Sequence, residues 1–312
     1  MSGLTFAKHQ TFYIRDGWIY KGMRAVENNA GIFSQDDAPQ ILGLGKNMVQ
    51  SLRYWMLATQ LTTIEGGNLQ RLSDFGKLVH EYDPYQELDG TLWLIHYHLV
   101  INREKATAWY WFFNHFATNI FTRQEFVTRL SDWVNTQGES LKSEKSLVKD
   151  CDCLILTYLA RPDDRSPEDS LISPLASLGL LSEVEHQDDE HKRVRSLRVN
   201  MTRATSIHPL IFLYILLNQQ KEKRPTARQL SLMDALREPK NVGRVLNIGM
   251  QTLEEVLIKL EESYPNFAIR LTRTGGLDQL TLPNISDDEV LKIFYQQSDN
   301  TEDVKQWSFL AN

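Results

Sequence analysis

Asp83, Glu87 and His96 place two carboxylates and an imidazole in one short stretch of the chain. Side chains of these types suit phosphodiester cleavage. That reaction needs an activated nucleophile and neutralised charge on the pentavalent phosphorus, supplied by carboxylates holding a divalent metal or by His, Lys or Tyr. Asp83 opens a proline turn beside Tyr85 and Asp89, which favours exposure. The same residues also have plain structural readings. Asp83 caps the turn, Glu87 is solvated, and His96 lies in the apolar run Leu92-Trp93-Leu94-Ile95-His96-Tyr97, where a satisfied core histidine is the commoner outcome. His96 and His98 diverge by about 200° on a helix and do not share a metal there. His115 follows the run Trp109-Tyr110-Trp111-Phe112-Phe113, which serves as core or as a stacking platform for bases, with core packing favoured.

The second group with chemical potential is Lys46, Asn47, Gln50, Arg53 and Tyr54. Asn and Gln pair with adenine edges, and Lys and Arg with guanine or phosphate. The elements that must position them are legible. Asp36-Asp37-Ala38-Pro39 starts a short helix, Gly43-Leu44-Gly45 makes a tight turn, and a second helix begins at Lys46. Met48, Leu52, Trp55 and Met56 share one face of that helix and leave the polar set on the remainder. Two short strands follow, Leu61 to Glu65 and Leu69 to Leu72, around Gly66-Gly67-Asn68. A helix, a turn, a presented helix and a hairpin make a winged helix-turn-helix, although an ordinary amphipathic helix with a solvated face fits the same pattern. Upstream, Arg15 and Lys21, with Gln10, can clamp phosphates beside the presented helix. Alternatively, Arg15 pairs with Asp16 or Asp36.

The frame around these groups is that of a packed protein. The chain has 312 residues, 42% of them hydrophobic and 24% charged, with seven Trp, which argues against long disorder. A formal charge of -6 excludes a protein that coats nucleic acid nonspecifically, so any DNA contact is local. Cys151 and Cys153 are separated by one residue, a poor geometry for a disulfide and too few ligands for a zinc knuckle. No stretch reads as a signal or a membrane span, and no Walker loop, Rossmann fingerprint or zincin motif is present. The expected location is cytoplasmic.

Further along, the helical plan repeats. His208 to Leu216 starts a helix, Thr226 to Leu236 a second, and Gly243 to Glu262 contains a third, followed by strands Phe267 to Leu271 and Leu277 to Leu282. Asp83 to Leu159 reads as helix-rich, and Arg161 to Pro167 as a surface loop. Leu180 to Glu185 and Val194 to Val199 resemble a hairpin with acidic Asp188, Asp189 and Glu190 at its tip. Lys192, Arg193, Arg195, Arg198 and Arg203 can hold a phosphate backbone, while Arg195 and Arg198 more readily pair with the acidic strand opposite.

Long motifs carry a family resemblance: His9-Gln10-Thr11-Phe12, Arg15-Asp16-Gly17-Trp18, Leu42 to Val49, Ser51 to Trp55, Asp83-Pro84-Tyr85, Gly90 to Tyr97, Trp109 to Asn114 and Glu168-Asp169-Ser170. Over about the first three-fifths of its length the chain resembles a bacterial domain-of-unknown-function family found in the SspB-type component of Ssp DNA phosphorothioation systems. The resemblance implies double-stranded DNA binding first and nicking second, with a PAPS-reductase-like protein and an ATPase of the same system as partners, and with a divalent metal if the protein nicks. Where that family tends to have cysteine before Pro-Leu, this chain has Ser173-Pro174-Leu175. A structural zinc or iron-sulfur cluster is therefore not expected, and Cys153 reads as a buried thiol.

The combined expectation is a mainly α (α+β) protein in three parts. Residues 1–82 form a winged-helix-like domain, 83–203 a helix-rich region with a charged hairpin, and 204–312 a second winged-helix-like domain. Asp83, Glu87 and His96 are the catalytic candidates, and Lys46, Asn47, Gln50, Arg53, Tyr54, Arg15 and Lys21 the DNA contacts. The expected function is a DNA-binding component of a phosphorothioation-type modification or defence system that nicks DNA. The rival is a noncatalytic winged-helix adaptor or transcriptional regulator associated with such a system.

Overall fold

The computed structural model describes residues 3–138, 143–159, 172–187, 193–274 and 277–299. The loop expected at 161–167, the acidic tip at 188–190 and Lys192 lie outside them. The chain is helix-rich with small antiparallel sheets, and it divides into two compact units, Met1–Asn200 and Met201–Asn312.

In the first unit, helix α1 (Trp18–Asn28) buries Trp18, Ile19, Met23 and Val26 along one stripe. Helix α2 (Ala38–Leu42) ends at Gly43, whose φ of 60° supplies the left-handed turn that a side chain would oppose. Helix α3 (Lys46–Ala58) follows at once and buries Val49, Leu52, Trp55 and Met56. Strands β1 (Thr62–Glu65) and β2 (Leu69–Leu72) pair antiparallel across Gly66 and Gly67, both at positive φ. Helix α4 (Asp74–Tyr82) is capped by Ser73, whose hydroxyl accepts the Gly76 N–H. The local order read from the sequence is thus present.

The remainder of this unit is built on two helices with no polar face. In α5 (Asp89–Ile101) every residue from Gly90 to Val100 is buried, and in α6 (Thr107–Asn114) all eight residues are. A helix apolar all round must be enclosed by other elements. The short strand β3 (Ile120–Phe121) leads into α7 (Arg123–Thr136), which opens on a Thr122–Glu125 capping box, and α8 (Glu144–Tyr158) follows. Strands β4 (Leu181–Gln187) and β5 (Arg193–Val199) form the expected hairpin, and β3 adds to its β5 edge. Segments 1–82 and 83–200 share one unit because polar side chains tie them together. Gln60 Nε2 donates to the His98 carbonyl, and Asn102 Nδ2 to those of Leu57 and Ala58.

The second unit begins with α9 (Pro209–Lys223), buried from Pro209 to Leu216. The segment expected as one helix from Thr226 instead forms strand β6 (Gln229–Ser231) and α10 (Leu232–Arg237), and the next divides into α11 (Val242–Val245) and α12 (Met250–Ser263). Strands β7 (Arg270–Thr274) and β8 (Leu277–Thr281) complete a sheet of order β6-β8-β7, and α13 (Asp287–Asp299) packs on α9. Ser231 caps α10 through its hydroxyl, which explains why the helix starts six residues later than its apolar periodicity suggests.

Candidate nucleic-acid interface

Two glycines set up the surface of α3. Gly43 turns the chain out of α2, and Gly45 precedes Lys46 in extended conformation, so α3 begins at an exposed, uncapped N-terminus. Lys46, Asn47 and Gln50 are exposed on its first turns, with Val49, Leu52 and Trp55 buried opposite them. Backbone N–H groups at such an end favour anions.

Of the other four expected DNA contacts, Tyr54, Lys21 and Arg15 are engaged within the fold. Tyr54 points inward and meets the His9 ring edge-on at 6.1 Å, and burial followed by the charge of Asp150 pushes its hydroxyl well above the usual phenol range. Arg53 is half-buried beside α3's packed face. Lys21 Nζ donates to the Leu42 carbonyl at 2.8 Å, capping α2 just before its turn. Arg15 forms no pair with Asp16 or Asp36; its guanidinium lies 5.4 to 5.6 Å from the ring centroids of Phe12, Tyr13 and Trp18. Lys21 and Tyr54 thus tie the end of α2 and the middle of α3 into the fold.

The expected catalytic trio occupies three separate environments. The Asp83 carboxylate accepts the backbone N–H groups of Glu87 at 2.8 Å and Leu88 at 3.1 Å, holding the entry to α5. Burial raises its pKa against those hydrogen bonds. Glu87 is exposed. His96 is fully buried, with Nδ1 at 2.8 Å from the Tyr158 hydroxyl and Trp93 and Phe113 edge-on to its ring. An imidazole so enclosed cannot reach a phosphodiester. On the β4–β5 hairpin, Arg195 meets Glu185 across the strands at 3.4 Å, the structural alternative for that residue. Cys151 and Cys153 are free, buried thiols; burial pushes the first up to about 12 and the second well above the usual thiol range.

Spacing gave no sign of two further groups. His9 and Asp150 form a fully buried pair at 2.7 Å across the unit. Tyr20 on α1 and Tyr85 in the α4–α5 loop lie with tilted rings, centroids 4.6 Å apart. The approach of Tyr85 from a distant loop was not visible in the sequence. A cavity of about 380 Å³ lies at the opposite end of α3 from Lys46, lined by Gln60, Thr62, Ser73, Phe75, His98 and Lys105 among others.

The family model for proteins of unknown function DUF4007 matches residues 6–297. The chain belongs to that family. Two solved structures are similar to it throughout. A magnesium ion-bound SspB crystal structure shares 27% identity at a TM-score of 0.79, and an SspB crystal structure shares 27% at 0.78; both matches cover 97% of this chain and 92% of the other. In sequence, no curated protein matches it.

Magnesium takes oxygen ligands in near-octahedral geometry. Among the described residues no group of three His, Cys, Asp or Glu side chains is placed to hold a metal ion, and both Asp83 oxygens are committed to backbone N–H groups. The Asp83, Glu87 and His96 set therefore does not fit a magnesium site. Among the described residues no helix is long and apolar enough to cross a membrane.

Proposed function

We propose that this DUF4007 protein is a DNA-binding component of a phosphorothioation-type modification or defence system, and that it nicks duplex DNA. The observation that carries this reading is the exposed trio Lys46, Asn47 and Gln50 at the open N-terminus of α3, next to a glycine turn and ahead of the β1–β2 hairpin. The order α2, turn, α3, hairpin is that of a winged helix-turn-helix, in which the second helix enters the major groove by its N-terminal residues. Asn47 and Gln50 have the chemistry for adenine edges, and Lys46 for guanine or phosphate. The likeness to SspB structures supplies the system, in which a PAPS-reductase-like protein and an ATPase are the proposed partners.

The test is conversion of supercoiled plasmid to the relaxed form by the wild-type protein and by a Lys46→Ala, Gln50→Ala variant. Relaxation by the wild type, with duplex binding and relaxation both lost in the variant, is the expected result. Absence of relaxation with binding retained would leave a noncatalytic adaptor.

One observation favours an adaptor role for the second unit. Its order of α9, β6, α10, α11, α12 and the β7–β8 hairpin also follows a winged-helix plan, with α12 in the presented position. The exposed stripe of α12, however, starts on Gln251 and continues through Glu255, Ile258 and Glu262. Its two carboxylates repel phosphate, and a stripe of that composition suits a protein surface.

A further inference from the structure

The aromatic run Trp109-Tyr110-Trp111-Phe112-Phe113 is core, since every residue of α6 is buried. His115 is the first residue past that helix, and it is exposed. Its Nε2 lies 3.2 Å from the Tyr110 hydroxyl, and its ring lies against the Trp133 indole of α7, centroids 5.7 Å apart and planes inclined by 31°. Trp133 is half-buried. Two rings thus reach the surface where the run itself does not.

Two guanidiniums flank these rings. Arg129, one helical turn before Trp133, has its guanidinium carbon 5.8 Å from the Phe116 centroid and donates to the Thr118 hydroxyl at 2.9 Å. Arg103, in the turn between α5 and α6, lies 5.9 Å from the Trp133 centroid and donates to the Gln137 side-chain carbonyl at 3.0 Å. Arg129, Trp133 and Gln137 follow at i, i+4 and i+8, so the row runs over about 12 Å. Each arginine is thus oriented by a neutral acceptor. Among the described residues neither forms an ion pair, so no carboxylate among them offsets either charge.

Exposed rings alternating with unpaired cations suit a single strand of nucleic acid, whose bases stack on aromatic side chains while guanidiniums pair with its phosphates. A duplex keeps its base faces within its own stack and offers these rings nothing. An acidic peptide answers the two charges but not the rings. The row is also separate from the helix that presents Lys46. Asn102, next to Arg103, donates to the Leu57 and Ala58 carbonyls at the far end of α3, and that 13-residue helix is about 20 Å long.

We propose that His115, Trp133, Arg103 and Arg129 form a binding site for single-stranded DNA, in which a base stacks on the two rings and neighbouring phosphates meet the two guanidiniums. That the strand is DNA rests on the reading above, in which a nick gives a strand end free to leave the duplex.

Fluorescence anisotropy of the full-length protein tests this with a labelled oligothymidylate of about 12 nucleotides, an oligouridylate of the same length and a labelled duplex. The wild type is expected to bind oligothymidylate, and His115→Ala to bind it about tenfold more weakly, the loss of one stacked base. His115→Phe, which keeps a ring, should restore most of that loss. Arg103→Gln with Arg129→Gln should weaken single-strand binding and lower the slope of log affinity against log salt by about 1.4, roughly 0.7 per phosphate. Duplex affinity should stay within about twofold in all of these variants, and Lys46→Ala should weaken the duplex alone. No oligothymidylate binding, wild-type affinity in both His115→Ala and the double arginine variant, or binding of oligouridylate alone overturns the site and leaves duplex binding through Lys46 standing. An equal loss of duplex affinity in the same variants overturns it too, because one surface then serves both. Single-strand binding that depends on His115, with no duplex bound at all, overturns the duplex reading and leaves this site in place.

Discussion

At the residue scale, the first unit is fastened by the His9–Asp150 pair. His9 Nδ1 accepts the Thr11 N–H at 3.1 Å, which leaves the ring proton on Nε2, donated to Asp150. Asp150 also accepts the Ala7 N–H at 2.8 Å. These bonds hold a loop in which Ala7, Gln10 and Thr11 all have positive φ, 55°, 52° and 68°, a conformation that costs on the order of 1–3 kcal/mol per residue. Replacing His9 by Ala leaves a buried carboxylate with one partner fewer. Unfolding in urea should show a loss of at least about 2 kcal/mol; a loss under about 0.5 kcal/mol would contradict the role assigned to the pair. None of this was legible in the sequence, because 141 residues separate the partners and no local spacing records their approach. The Gly43 turn and the exposed Lys46, Asn47 and Gln50 were legible, since glycine placement and helical period are local signals. The contact of Tyr54 with His9 was not legible for a related reason. Its position on the helix is polar by pattern, but His9 arrives from another segment to cover it.

At the element scale, close approach and buried imidazoles make the sharpest predictions. A side-chain Cβ at Gly76 would overlap the Leu61 carbonyl oxygen, so α4 can pack against the entry to β1 only through a glycine. Gly76→Ala should destabilise the protein by about 1–3 kcal/mol, read as a lowered melting temperature, and an unchanged melt would contradict that packing. The imidazoles of His98 in α5 and His208 at the start of α9 are lowered by burial to about 3 and about 4. Both stay neutral in the folded chain while the unfolded chain takes up protons below about pH 6.5. Their stabilisation is therefore complete above that pH and declines as pH falls toward the folded values, each by at most about 1.4 kcal/mol per pH unit. Melting temperature should drop from pH 7 to pH 5, and His208→Asn, which keeps a side-chain acceptor for the Leu210 N–H, should flatten the decline. A steeper decline in that variant would count against this origin. Element boundaries were the less legible part of the second unit. Ser231 stops a helix that apolar spacing alone would extend, and β6 becomes a strand only because β8 lies beside it.

At the scale of the whole molecule, the net charge of -6 requires the proposed DNA contact to be a local one. The two units should contribute unequally, because the α3 surface offers Lys46, Asn47 and Gln50 where the α12 surface offers Glu255 and Glu262. In the intact chain, Glu255→Gln with Glu262→Gln should leave duplex affinity within about twofold, roughly 0.4 kcal/mol; a tenfold change would place DNA against α12. The most direct measurement is fluorescence anisotropy of a labelled duplex titrated with the wild-type protein, Lys46→Ala and an Asn47→Ala, Gln50→Ala variant over a range of salt concentrations. Lys46→Ala should weaken binding across sequences and reduce the slope of log affinity against log salt by about one, and the double variant should cost about 1–3 kcal/mol on the preferred sequence. Wild-type affinity and salt slope in all three proteins would contradict the assignment of α3 as the DNA-reading helix.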